Sequence, residues 1–156
     1  MEGLERIEAI DPDPAESPRA VGILARVHTG TPDYAAQLTL PTALDFQAAI
    51  GAPRREARLK ALRDRWVRPL RDLPQVQILT PDDSRLYGAI TSFRLSGRTS
   101  HDENVALARA LLEKYRIFAV HRDGLASRSC VRITPSLATH MADLDRLVIA
   151  IRALAG

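Results

Sequence analysis

Apolar residues recur at helical spacing in four stretches of the chain, and this pattern predicts four helices. The stretches cover residues 34–50, 53–70, 102–115 and 139–154. Pro41 should break or kink the first helix near Leu40, and Pro69 should kink the last turn of the second. Each helix is therefore expected to direct one apolar stripe toward a core.

The same spacing predicts which side chains are buried and where two of the helices begin. The expected buried positions are Leu38, Ala43, Phe46 and Ile50, then Leu59, Leu62, Trp66, Val67 and Leu70, then Val105, Ala108, Leu111, Leu112 and Tyr115, and last Met141, Leu144, Leu147, Val148, Ile151 and Leu154. Ser100 or Asp102 is expected to cap the third helix, and Thr139 the fourth.

One face of the second predicted helix is densely basic. It carries Arg54, Arg55, Arg58, Lys60, Arg63, Arg65 and Arg68. Such a run is typical of a solvated helix face, and we favour that interpretation over an anion-binding patch.

Short β-branched and apolar runs bounded by turn residues predict strands between the helices. They cover residues 20–27, 75–79, 86–95, 117–120 and 130–134. The order of elements predicts an α+β fold with a small, mostly antiparallel sheet and helices packed on one face. We expect a flexible acidic and proline-rich tail at 1–19, a strand, loop and helix at 20–51, and a separate domain at 52–156.

Composition fits one globular unit without a membrane segment. The chain has 156 residues, is 46% hydrophobic, and contains no run approaching the roughly 20 apolar residues that span a bilayer. Its start lacks the features of a secretory signal, so we expect a soluble, cytoplasmic protein. The net charge of +3 rests on scattered arginines and few aromatics, which disfavours a nucleic-acid partner.

The usual catalytic signatures are absent from the sequence. It has no glycine-rich phosphate loop, no nucleophile elbow and no metal-binding motif, so no metal and no catalytic residue is predicted. The four histidines lie far apart in sequence and are expected to be surface or capping residues. Cys130, in an apolar strand, is expected to be a small buried side chain rather than a nucleophile.

Two features suggest anion binding. Thr29, Gly30 and Thr31 place hydroxyls and a flexible backbone before a predicted helix, which suits a phosphate or carboxylate but also suits plain helix capping. Arg132 lies between Val131 and Ile133 in an apolar strand. Its guanidinium could hold a carboxylate through two parallel hydrogen bonds, or it could simply face solvent.

Ordered motifs over about residues 20–155 give the chain a family resemblance. They are HTGTPDY at 28–34, ALDF at 43–46, IG at 50–51, AITSF at 89–93, VRITP at 131–135 and DLDRL at 143–147. This order resembles the C-terminal part of class V aminotransferase-like enzymes, which are fold-type-I enzymes dependent on pyridoxal phosphate. The similarity is greatest to isopenicillin N epimerase-like members.

The resemblance implies roles for both anion-binding features. The segment at Gly30 and Thr31 would reach across a dimer, with the threonine binding the cofactor phosphate of the neighbouring subunit. Arg132 would bind the carboxylate of an amino-acid substrate. Residues 20–51 would correspond to the end of the cofactor domain, and residues 52–156 to the small C-terminal domain.

The departures from the family pattern are also informative. The family's Schiff-base lysine domain should precede Ala20, and neither Lys60 nor Lys114 matches a lysine motif. The isolated chain is therefore not expected to turn over substrate. Desulfurase relatives carry a cysteine before the arginine strand, and residues 121–125 contain none, which disfavours that activity.

Two functional hypotheses are favoured from sequence, and a nucleic-acid binder, whose affinity would fall steeply with salt, is a third and less favoured one. In the first, the chain works as a homo- or hetero-oligomer with a lysine-bearing domain, in transamination, racemisation or lyase chemistry. In the second, it is a non-catalytic remnant or interaction module, whose apolar surface around Leu38, Leu40 and Phe46 would be covered by a partner. Neither of the two favoured hypotheses involves nucleic acid or a membrane.

Overall fold

A computed structural model describes residues 33–124 and 126–156. The chain divides into two units, 1–46 and 47–156, and each is considered by itself. The described elements, in chain order, are α1 (Tyr34–Ile50), α2 (Ala52–Arg71), β1 (Val76–Ile78), β2 (Thr91–Leu95), α3 (His101–Tyr115), β3 (Val120–Arg122), β4 (Cys130–Ile133) and α4 (Met141–Ala155).

The four strands of residues 47–156 form one sheet in the order β1-β2-β4-β3, with every neighbouring pair antiparallel. Helices α2, α3 and α4 pack on it around a shared core. The α+β class with a small antiparallel sheet and helices on one face, predicted from the order of elements, is confirmed. Among the described helices, none combines the length and hydrophobicity that crossing a bilayer requires.

The core lies between α2, α4 and the central strands. The Trp66 and Phe93 rings meet edge to face with centroids 5.8 Å apart, and both side chains are fully buried. Phe93 pairs in register with Val131 of β4, so both side chains lie on the helix-covered face of the sheet. The stripe predicted for α2, including Leu62, Val67 and Leu70, is buried as expected.

Helix α1 departs from the prediction in two ways. It runs through Pro41 to Ile50 without a break, because proline removes one hydrogen bond and a helix with both flanking turns intact can continue past it. None of its residues is buried: Leu38 is 79% exposed and Phe46 is 64% exposed. The predicted burial of this stripe was wrong, since helical periodicity predicts an apolar face but not the presence of a surface that covers it.

In helices α2 and α3, some of the residues predicted to be exposed or buried are not. Arg63, assigned to the solvated face of α2, is only 1% exposed. Of the two caps that the sequence offered, Ser100 and Asp102, the structure has Ser100 as the N-cap of α3, in a capping box with Glu103. The buried residues of α3 are Asn104, Leu107 and Leu111, so its inward face is rotated from the predicted one, which included the 44% exposed Leu112.

For α4 and the strands, the observed bounds differ from the predicted ones mainly at the ends of the elements. His140, not Thr139, is the N-cap of α4, because the Thr139 hydroxyl accepts a hydrogen bond from the Ser136 backbone N–H at 2.9 Å. The strand predicted at 86–95 is confined to Thr91–Leu95, and the one predicted at 117–120 begins only at Val120. The strand predicted at 20–27 lies outside the described residues, and the domain boundaries at 19 and 51 stay predictions.

Candidate functional site

Arg132 lies at the centre of the sheet. Its strand, β4, is paired on both sides, and Arg132 stands opposite Ser92 of β2 and Val120 of β3. Its neighbours Val131 and Ile133 are buried in the core beneath the helices. Because side chains alternate along a strand, Arg132 lies on the other face, which carries none of α2, α3 and α4.

The Arg132 side chain is partly buried and has an unused donor. Its Nε atom is inaccessible to solvent and has no hydrogen-bond acceptor among residues 33–124 and 126–156. Within the same residues, Arg132 forms no ion pair. The residue as a whole is only partly buried, and a carboxylate is the acceptor that a guanidinium binds most strongly.

Arg94, on the same face of the sheet, is already satisfied by the protein. It is 5% exposed, its Nε donates to Gln77 Oε1 at 2.7 Å, and one terminal nitrogen donates to the carbonyls of Ser127 and Ser129. These contacts give Arg94 a structural role in fastening the loop before β4. Arg132 is thus distinguished from Arg94 by its unused donor.

The other sequence-predicted site residues are Gly30 and Thr31, and both lie outside the described residues. The structure therefore places one of the three predicted binding residues, Arg132, and leaves the proposed phosphate contacts as predictions. Cys130 is fully buried, as expected for a small apolar side chain.

Neither lysine of the chain is placed as a Schiff-base group. The Lys60 ammonium is bound to the Glu56 carboxylate at 2.5 Å on the surface of α2, and the hydrogen bond from Lys60 holds the Glu56 pKa below its ordinary value. Lys114 is exposed in the last turn of α3. That a cofactor-bonding lysine would come from another domain stays a prediction.

The structure also assembles a cluster that sequence reasoning missed. His101 Nδ1 lies 2.9 Å from Asp123 Oδ2, and His121 Nε2 lies 3.8 Å from the same oxygen. The hydrogen bond with His101 is the main reason that the Asp123 pKa is lowered. His121 and Asp123 occupy alternate positions at the end of β3, and that i,i+2 spacing was the available signal. His101 could not be predicted as the third member of the cluster, because it lies twenty residues before His121 in the sequence.

Comparison with known proteins places the chain in a family. The family model "Aminotransferase class-V" matches residues 16–147, and the chain therefore belongs to the class V aminotransferase family, whose members use pyridoxal phosphate. Isopenicillin N epimerase from Streptomyces clavuligerus is 35% identical over 127 residues. That match covers 81% of this chain and 31% of the epimerase, so the chain spans about a third of the relative's length.

Solved structures carry the same fold. A cysteine desulfurase from Escherichia coli superimposes with a TM-score of 0.66 at 21% identity, covering 83% of this chain and 33% of the desulfurase. Alanine–glyoxylate aminotransferase from Nostoc sp. gives 0.58 at 16% identity, covering 98% of this chain and 41% of that enzyme. Both are fold-type-I enzymes, which confirms the predicted fold and, at these identities, nothing beyond it.

Proposed function

We propose that this chain forms the C-terminal, substrate-binding part of a pyridoxal-phosphate enzyme that acts on an amino acid. Arg132 binds the substrate carboxylate in this proposal. The observation that carries it is the partly exposed Arg132 side chain, which forms no ion pair among the described residues although it lies on an inner strand of the sheet. Membership of the family supports the cofactor, and the identity to an epimerase supports an amino-acid substrate.

Arg132 is well suited to orienting a substrate. A guanidinium offers two parallel N–H donors to a carboxylate, which fixes both the position and the plane of the ligand. The β4 backbone is hydrogen-bonded on both sides, so the arginine is presented from a rigid element. In this proposal Arg132 is a binding and positioning group and transfers no proton.

The cofactor would be held by other groups. Gly30 and Thr31 would contact its phosphate in a neighbouring subunit, and a lysine-bearing domain would supply the covalent attachment. When bound, pyridoxal phosphate supplies an electron sink for reaction at the amino-acid α-carbon. Within this chain the proposal therefore assigns anion contacts only, and it requires a homo- or hetero-oligomer that contains the lysine domain.

A second candidate function is a non-catalytic interaction module of the same fold. It is favoured by α1, where Leu38, Leu40, Leu44 and Phe46 are all more than half exposed. Large apolar side chains exposed together on one helix are often covered by another surface. A stable monomer at high protein concentration, measured by sedimentation, would count against the module.

The test combines the chain with a lysine-bearing domain, sought first in the coding sequence immediately upstream. We expect a complex that retains pyridoxal phosphate, visible as absorbance in the near-ultraviolet or visible range after gel filtration. Amino-acid binding would then be followed through the change in that absorbance. Arg132→Ala should leave cofactor retention intact and raise the half-saturating amino-acid concentration about 100-fold, the value of two charge-assisted hydrogen bonds worth about 3 kcal/mol together.

Arg122→Ala is the matched control, because Arg122 also lies in the sheet on the face away from the helices but is exposed at the edge strand β3. It should change the half-saturating concentration less than about twofold. Absence of both complex and absorbance would refute the assembly with a lysine domain. Equal effects of the two substitutions would refute the carboxylate-binding role of Arg132.

A further inference from the structure

Three potential metal ligands converge at one end of the sheet, on the side of α3. His101 is the first residue of α3, His121 is the middle residue of β3, and Asp123 follows β3 directly. His121 pairs with Val131 of β4, so it points to the same side of the sheet as α3, and alternation along the extended chain brings Asp123 to that side as well. The beginning of α3 and strand β3 thus hold the two imidazoles, and the residue that follows β3 brings the carboxylate beside them.

The separations are close to those within a coordination shell. One atom from each of the three side chains lies within 4.8 Å of the other two. Asp123 Oδ2 lies 2.9 Å from His101 Nδ1 and 3.8 Å from His121 Nε2. Ligand atoms about 2.0–2.2 Å from a tetrahedral zinc ion lie about 3.3 Å from one another, so rotation of the partly exposed His121 side chain can complete the set.

The surroundings also favour a cation. The imidazole centroids are 5.1 Å apart, and both rings approach the same anionic group, the Asp123 carboxylate. The neighbouring Arg122 is the nearest cation in sequence, but alternation directs it to the opposite face of the sheet, where its guanidinium donates to the His121 carbonyl. A divalent ion would be bound by neutral imidazoles and an anionic carboxylate, which are the forms that ligate metals.

From these contacts we propose that His101, His121 and Asp123 form a surface site for a divalent first-row transition ion, with zinc as the expected occupant. Two imidazole nitrogens and one carboxylate oxygen suit zinc and related ions, whereas magnesium and calcium prefer all-oxygen shells. Three protein ligands leave a position for water or for a group from another molecule. The ion would link the beginning of α3 to the β3–β4 loop, replacing the hydrogen bond between His101 and Asp123 with two stronger ligand bonds.

The direct test is a titration of the 156-residue chain, without an affinity tag, with zinc chloride in calorimetry and with cobalt chloride in absorption spectroscopy. We expect one zinc bound per chain, and with cobalt a visible absorption band that reports a site of low coordination number. Magnesium at the same concentrations should give no heat above dilution. Nuclear magnetic resonance of the unaltered chain gives an independent readout, because zinc should shift the imidazole resonances of His101 and His121 and leave those of His140 in place.

His101→Ala, His121→Ala and Asp123→Asn should each weaken zinc binding more than about tenfold, because each removes one of three ligands. His140→Ala is the matched control, since His140 is also an exposed residue at the start of a helix, and it should leave affinity unchanged. The proposal is overturned if zinc shifts neither imidazole, or if His140→Ala weakens binding as much as the three ligand substitutions. In that outcome the cluster is a hydrogen-bonded link between α3 and the loop.

Discussion

The buried Arg63 provides the sharpest stability prediction. Its guanidinium lies 3.7 Å from the centroid of the Tyr87 ring, and it donates to Asp64 at 2.9 Å, to Asp82 at 3.1 Å and to the Pro81 carbonyl at 3.3 Å. These contacts tie α2 to residues 81–87, a segment with no helix or strand of its own. Replacing Arg63 by alanine removes the contacts and leaves a cavity beside the core.

The expected loss in the free energy of unfolding depends on how deeply the carboxylates that bind Arg63 are buried. Removing one member of a fully buried ion pair costs about 3–5 kcal/mol, mostly because the other charge is left without a partner. Here Asp82 is 58% exposed and Asp64 keeps Arg68 at 2.8 Å, so both carboxylates remain solvated or paired and the lower end applies. We expect Arg63→Ala to lower the free energy of unfolding by about 3 kcal/mol, and Arg63→Lys by about half as much, because lysine keeps the charge but loses the planar fork.

The assay is urea unfolding followed by the fluorescence of Trp66, which is the single tryptophan and is fully buried. With a slope near 2 kcal/mol/M, a loss of 3 kcal/mol moves the midpoint down by about 1.5 M urea. Arg68→Ala is the control, since Arg68 is 77% exposed on the same helix, and it should cost about 0.5 kcal/mol. A midpoint shift for Arg63→Ala no larger than that of Arg68→Ala would refute the structural role of the buried guanidinium.

Two further predictions concern the same fold. Ser100→Ala removes the hydroxyl that accepts a hydrogen bond from the Glu103 backbone N–H at 3.4 Å in the capping box of α3, and should lower the free energy of unfolding by about 1 kcal/mol in the same assay, whereas the exposed Ser136→Ala should change it less. Burial alone would raise the pKa of Asp64, but the hydrogen bond from Arg63 and the charges of Arg68 and Arg63 hold it below the ordinary 3.8. The stabilisation is therefore present above about pH 4 and is lost as the pH falls through the lowered value; Asp64→Asn should flatten that acid limb, and an unchanged slope would contradict the assignment.

Sequence patterns predicted the elements whose apolar side faces the core. In α2, the stripe of Leu62, Trp66 and Leu70 is one apolar face of a long helix, and hydrophobic spacing alone locates it. In α3, Ser100 followed three residues later by Glu103 is a local capping signal, so the beginning of the helix was also accessible. Both predictions depend on residues close to one another in sequence.

Contacts between residues that are far apart in sequence could not be predicted from hydrophobic spacing or capping signals. Arg63 was assigned to solvent because helical spacing shows its neighbours on α2 but not Tyr87 and Asp82, which approach from a later loop. The hydrogen bond between His101 and Asp123 was missed for the same reason, since it depends on how α3 packs beside β3. Leu38 is the opposite case: it was predicted to be buried because it is apolar, but none of the described residues covers it.

Strand β4 contributes core side chains to one face of the sheet and Arg132 to the other. Val131 and Ile133 point into the core and contact the helices, whereas Arg132 between them points to the opposite face, where its Nε has no acceptor in the part of the chain that the structure describes. Because one strand supplies both sets of side chains, packing on the helix side fixes the backbone from which the arginine is presented. Arg132 is not part of the hydrophobic core cluster, so a loss of amino-acid binding in Arg132→Ala can be attributed to the missing donors when the urea midpoint is unchanged. The same separation explains how an arginine can lie in the middle of an apolar strand without destabilising the core.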